Sequence, residues 1–71
     1  MESVLLKIND LYPTMGYGEK KIADWIIHNY QEIIGLSINE LAAKCECGEA
    51  TIVRFSRRLG LSGYQELKLK I

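Results

Sequence analysis

Long apolar runs are missing from this sequence. No stretch approaches the roughly 18 residues that suggest a membrane span, so no membrane partner is expected. Met1-Glu2-Ser3 offers no basic segment ahead of an apolar one, so no secretory signal is read and a cytoplasmic location follows by default. Histidine is limited to His28 and no carboxylates converge, so the groups that nucleophilic, acid–base or metal catalysis requires are not assembled. The expectation is a protein that is not an enzyme and needs no cofactor. The two cysteines, Cys45 and Cys47, are one residue apart, which makes a disulfide between them awkward. With only His28 beside them they fall short of the four ligands of a structural zinc site. They read instead as small apolar side chains in a turn. Alternating apolar and polar runs are absent, as are Asn-Gly and Asp-Gly pairs, so no sheet is expected.

Net charge is also missing: nine basic residues balance nine acidic ones. The distribution carries more than the sum. From Thr51 onward Arg54, Arg57, Arg58, Lys68 and Lys70 stand against Glu66 alone, and all three arginines fall within five positions. The first half leans the other way, with Glu2, Asp10, Glu19, Asp24 and Glu32 against Lys7, Lys20 and Lys21. This polarity fits one face that meets an anion and an ordinary solvated remainder.

What the chain does contain is helical periodicity, in 71 residues that suffice for one small domain. Val4, Leu5, Ile8 and Leu11 space as a short amphipathic helix that Pro13 should stop. Gly16 and Gly18 mark a turn. Glu19-Lys20-Lys21 opens a second helix, with Ile22, Trp25 and Ile26 inward and Trp25 the largest core candidate. Gly35 marks a helix end. Ser37-Ile38-Asn39-Glu40 has the spacing of a capping box, in which serine and glutamate satisfy each other's backbone N–H groups. The helix it opens turns Ile38, Leu41 and Ala42 to one face and breaks at Cys45-Glu46-Cys47-Gly48. A further helix over Glu49–Leu59 buries Ile52, Phe55 and Leu59, and Gly60 ends it. Ser62-Gly63-Tyr64-Gln65 reads as a second capping box, opening a last helix still running at Ile71, as in a fragment of a longer protein.

Two short helices joined by a tight turn, the second rich in arginine, form a helix-turn-helix arrangement. Ala42 is small where the helices would cross closely. Burying Ile52 and Phe55 leaves Glu49, Ala50, Val53, Arg54 and Arg57 outward, on the part of such a helix that enters the major groove. Arg54 or Arg57 can bond guanine O6 and N7 in bidentate fashion, and Ala50 and Val53 can touch a thymine methyl. Thr51 and Arg58 suit flanking phosphate oxygens. Glu49 reads first as a favourable charge at a helix N-terminus, and second as an acceptor from cytosine. Ser37 and Gly48, at the starts of the two helices, complete the set with Ser62 and Tyr64, which can reach backbone phosphate. The expected fold is all-α, about five helices around a trihelical, homeodomain-like core. The expected partner is double-stranded DNA, bound as a homodimer. Against this stands the ordinary reading of exposed arginines as a solvated face, and a protein-interaction module on the same trihelical core, favoured by the neutral charge and by Tyr12, Met15 and Tyr17.

The segments Ser37–Ala42, Glu49–Phe55 and Leu59–Tyr64 resemble the N-terminal domain of the RpiR family of bacterial transcription regulators. The run Ala50-Thr51-Ile52-Val53-Arg54-Phe55 followed by Leu59-Gly60-Leu61-Ser62-Gly63-Tyr64 carries the likeness, and Glu19–Ile26 adds to it. The resemblance implies an operator-binding helical domain over residues 1–71. It also implies a missing C-terminal domain that binds a phosphosugar effector. The turn departs from the family's pattern, which tends to glycine, an aliphatic residue and serine. Glu46 stands where glycine would relieve a positive φ, and Gly48 replaces a capping serine.

Overall fold

A computed structural model describes residues 3–71, and every regular element among them is helical. Helix α1 (Val4–Leu11) leads through a 3₁₀ turn (Tyr12–Thr14) into α2 (Tyr17–Asn29). A 3₁₀ segment (Tyr30–Gly35) follows, then α3 (Ile38–Cys45), α4 (Glu49–Arg58) and α5 (Tyr64–Lys70). The all-α expectation holds, and no strand occurs among the described residues.

Helix α4 lies at the centre, packed against α2, α3 and α5. The largest fully buried side chains are Phe55, Ile8, Ile22, Ile26, Ile33, Leu41, Ile52 and Leu67, so every helix contributes at least one. Close packing in so small a core depends on small residues at the crossings. Ala23 and Ala42 are buried. Ser56 is also buried, and its hydroxyl donates to the Ile52 carbonyl at 2.9 Å, so among the described residues no buried side-chain nitrogen or oxygen lacks a partner.

Helix α1 ends at Leu11, ahead of Pro13 as expected, although Tyr12 keeps right-handed helical angles and the proline sits in the first positions of a 3₁₀ turn, where a missing N–H costs nothing. Three local expectations are corrected. Helix α2 starts at Tyr17, so Gly18 lies inside its first turn and only Gly16 is left as the cap. Trp25 is half-buried: Ile22, Ala23 and Ile26 take the inner face of α2, and the indole is left on the shoulder beside Lys44 and Cys45. At α5 the Ser62 N–H is capped at 2.7 Å by Glu66 rather than by Gln65, and Gly63 is the N-cap residue.

The capping box at α3 forms as its spacing predicts. The Ser37 Oγ accepts from the Glu40 N–H at 3.2 Å, and the Ser37 N–H donates to Glu40 Oε1 at 2.9 Å. Hydrogen bonding to the carboxylate by the Ser37 backbone N–H, and second by the Ser37 side chain, holds the Glu40 carboxyl below the usual carboxylate range.

Candidate nucleic-acid interface

Helix α4 is two-sided. Ile52, Phe55, Ser56 and Leu59 are buried, whereas Glu49, Ala50, Arg54 and Arg57 are exposed and Thr51 and Val53 lie at the boundary. The spacing of the buried positions at one and two turns fixes the helix's rotation, so the outward set follows from the inward one.

The turn before α4 is equally determined. The Cys47 N–H bonds the Ala42 carbonyl at 3.0 Å and the Glu46 N–H bonds the Ala43 carbonyl at 3.3 Å, the pair that closes a Schellman turn. This geometry requires a left-handed residue, and Glu46 supplies it with φ 55° and ψ 47°. Gly48 then caps α4 in extended backbone, with no side chain to accept a bond from the first turn. Glu49, the first residue of α4, sits at the positive end of the helix dipole, and Arg57 and Arg58 sit at the negative end, both favourable placements.

The start of α2 adjoins the outer face of α4. A Cβ on Gly18 would come within 3.2 Å of the Thr51 methyl, so glycine permits this close approach. Gly16, Gly18, Glu19, Thr51, Arg54 and Arg58 line an open concavity of about 430 Å³. Tyr17, 80% exposed, stands beside it with the Lys21 ammonium 4.7 Å from its ring centre.

The three arginines differ in their surroundings. Among the described residues neither Arg54 nor Arg57 lies within ion-pair reach of a carboxylate. Arg54 Nη2 donates to Thr51 Oγ1 at 3.3 Å within its own helix. Arg58 instead pairs with Glu19, Nη1 to Oε1 at 3.2 Å, and its Nη2 donates to the Thr14 carbonyl at 3.0 Å and to the Thr14 hydroxyl. The structure thus brings Gly48, Glu49, Ala50, Thr51, Val53, Arg54 and Arg57 together on one helix and its cap. Ser37 and Ser62 are exposed, each at the start of another helix.

Tyr64 stands apart from this set: it lies inward, 5% exposed, and its hydroxyl donates to the Leu36 carbonyl at 2.7 Å, a partner within the fold. Burial raises the phenol's pKa, with the Glu40 charge adding to the effect. The start of α2 is what the sequence reading left out of the interface. Its only signal was the pair Gly16 and Gly18 flanking an exposed aromatic residue, which reads equally well as a loop.

Among the described residues no group of three potential metal ligands occurs. Among the described residues no helix is long and apolar enough to cross a membrane. Burial pushes the Cys45 thiol up to about 11, and the neighbouring Cys47 adds to the shift.

The chain matches the family model described as a helix-turn-helix domain of the rpiR family over residues 2–71. It is 45% identical over 71 residues to an HTH-type transcriptional regulator of Caldanaerobacter subterraneus, covering all of this chain and 25% of that protein. It is 35% identical over 71 residues to the HTH-type transcriptional regulator HexR of Pseudomonas aeruginosa, again covering 25% of the relative. The chain therefore spans about a quarter of the length of these curated relatives. Among solved structures, the N-terminal domain of the transcriptional regulator ybbH from Bacillus subtilis superposes with a TM-score of 0.89 at 30% identity. That match covers 94% of this chain and 82% of the other.

Proposed function

This chain belongs to the rpiR family of helix-turn-helix domains, and from that premise we propose that it is the sequence-specific DNA-binding domain of a bacterial transcription regulator, with α4 as its reading helix. One observation carries the reading. The inner face of α4 is fixed by Ile52, Phe55 and Leu59, while Arg54 and Arg57 project from the outer face without a carboxylate partner among the described residues. A rigid helix that presents uncompensated guanidinium groups beside small apolar side chains suits the major groove.

In this reading Arg54 or Arg57 takes a guanine edge, and Ala50 and Val53 meet thymine methyl groups. Thr51, the Gly48 cap with the first turn at Glu49, Ser37 and Ser62 lie against the sugar–phosphate backbone. Two copies act together on an inverted repeat, with half-sites roughly 34 Å or a multiple of it apart. The regulators that the chain resembles are about four times longer. This supports a second domain on the same polypeptide, to which we assign binding of a phosphosugar effector. The regulated genes are then those of sugar or phosphosugar metabolism, and the protein works in the cytoplasm.

The test is direct. Duplexes enriched from a random library by the domain are titrated into labelled protein, and amide shifts are mapped by NMR at low salt. The expected result is a set of shifts concentrated on residues 49–58. Shifts confined to the α1 and 3₁₀ region, or none at all, reject the reading in favour of a protein-interaction module.

A further inference from the structure

Arg58 is the one arginine on this face whose charge is already answered within the described fold. Nη1 donates to both Glu19 carboxylate oxygens, at 3.2 and 3.4 Å. Nη2 donates to the Thr14 carbonyl at 3.0 Å and to the Thr14 hydroxyl, whose own proton goes to the Leu11 carbonyl at 2.7 Å. Glu19 also accepts from the Gly16 N–H at 3.3 Å. One planar guanidinium thus ties together the end of α1 with its 3₁₀ turn, the start of α2 and the last turn of α4. The contacts span 39 and 44 residues of sequence.

The Glu19 carboxylate already answers the Arg58 charge, so a DNA phosphate that approached this guanidinium would also meet that carboxylate, a like-charge contact that Arg54 and Arg57 do not impose. The pair is partly solvated, with side chains 35% and 21% exposed, so its value as a stabilising contact is small. Its geometric value is larger, because the fork fixes direction in a way that a point charge does not.

Given the reading of α4 as the DNA-reading helix, we propose that Arg58 is a positioning residue. It holds α4 at a set angle against the start of α2, and Arg54 and Arg57 carry the charge that meets DNA. Arg58 itself neutralises no phosphate.

The experiment compares wild type with Arg58→Gln, Arg58→Lys, Glu19→Gln and Arg57→Gln. The probes are a random-sequence 30-base-pair duplex and a duplex enriched from a random library by the wild-type domain. Circular dichroism fixes a temperature at which each variant is folded. Arg57→Gln, which removes a side chain read as facing a base edge, should weaken binding to the enriched duplex and reduce its preference over the random one, while Arg58→Gln leaves the salt slope at the wild-type value. Arg58→Lys, which keeps the charge and loses the fork, should lower the preference for the enriched duplex roughly tenfold, as should Glu19→Gln. A purely stabilising contact would not move that preference among folded variants. If Arg58→Gln does not fold, Arg58→Lys and Glu19→Gln carry the same comparison. A slope lowered by about 0.9 in Arg58→Gln overturns the proposal, and so does an unchanged preference in Arg58→Lys. A wild-type domain that binds neither duplex overturns the DNA-binding reading itself, a different result from either.

Discussion

Glu46 and Gly60 occupy the same point in two turns of one construction. Helix α3 ends with the Glu46 and Cys47 N–H groups bonded to the Ala43 and Ala42 carbonyls at 3.3 and 3.0 Å. Helix α4 ends with the Gly60 and Leu61 N–H groups bonded to the Arg57 and Ser56 carbonyls at 2.9 and 3.0 Å. Both turns need a residue with positive φ, 55° at Glu46 and 85° at Gly60. Glycine meets that need without a Cβ clash, and glutamate meets it under strain.

Replacing Glu46 by glycine should therefore stabilise the domain. Left-handed backbone costs an L-residue about 1–2 kcal/mol, and the extra freedom of glycine in the unfolded chain returns roughly 0.4–1 kcal/mol of that. The net gain expected in urea denaturation is up to about 1 kcal/mol, or roughly 4–8 °C in Tm for a domain of this size. Gly60→Ala should act in the opposite direction by about 1 kcal/mol. A loss of stability in Glu46→Gly would mean that the exposed carboxylate contributes something the backbone argument omits.

Gly48→Ser should also stabilise. Gly48 has φ −85°, which any residue adopts, and a Cβ there meets nothing within 4 Å. The added hydroxyl can accept from the first turn of α4, a gain of a few tenths of a kcal/mol over glycine at an N-cap. The substitution also places a hydroxyl beside the proposed DNA face. Binding to enriched duplex should therefore hold or tighten, and a weakening measured by fluorescence anisotropy would argue against backbone contact at this cap.

Tyr64→Phe separates a structural tyrosine from a DNA-contacting one. The hydroxyl bonds the Leu36 carbonyl across 28 residues of sequence and fastens α5 to the segment before α3. Its loss should cost about 1 kcal/mol in thermal or urea unfolding. The salt slope of DNA binding should stay at the wild-type value. A slope reduced by about 0.9 would return the hydroxyl to the phosphate contacts first expected of it.

Much of this architecture was legible because local rules and periodicity agreed. The boundaries of α3 and α4 could be read from Ser37 with Glu40, from the positive-φ demand at Glu46, from Gly60, and from the phase of Ile52, Phe55 and Leu59. Trp25 was misjudged because its size suggested a core that the narrower stripe Ile22, Ala23 and Ile26 already fills. The Arg58–Glu19 pair and the Tyr64–Leu36 bond join residues 39 and 28 positions apart, and neither periodicity nor capping carries a signal at such range. The candidate DNA-facing residues divide in the same way. Those on α4 follow from its phase, while the adjoining start of α2 depends on how two helices cross.

Alkaline pH should expose the buried thiol. Cys45 is 4% exposed at the end of α3, and burial first, then the neighbouring Cys47, raises its pKa from 9.0 to about 11. An acid whose folded pKa lies above its unfolded value leaves stability intact below the unfolded pKa, and stability falls as pH rises through the folded one. Stability should thus hold to about pH 9 and decline toward pH 11, by a contribution on the order of 2 kcal/mol. Tyr64, with its pKa also raised by burial, acts in the same direction at the upper end. Cys45→Ala should lower stability at neutral pH through lost packing and flatten the decline between pH 9 and 11, as measured by urea midpoints at each pH. The same burial makes a kinetic prediction. Iodoacetamide at pH 8 should modify the partly exposed Cys47 well before Cys45, since the thiolate is the reacting form. Mass spectrometry that found Cys45 alkylated first would show that the end of α3 opens more readily than its Schellman turn and apolar cover imply.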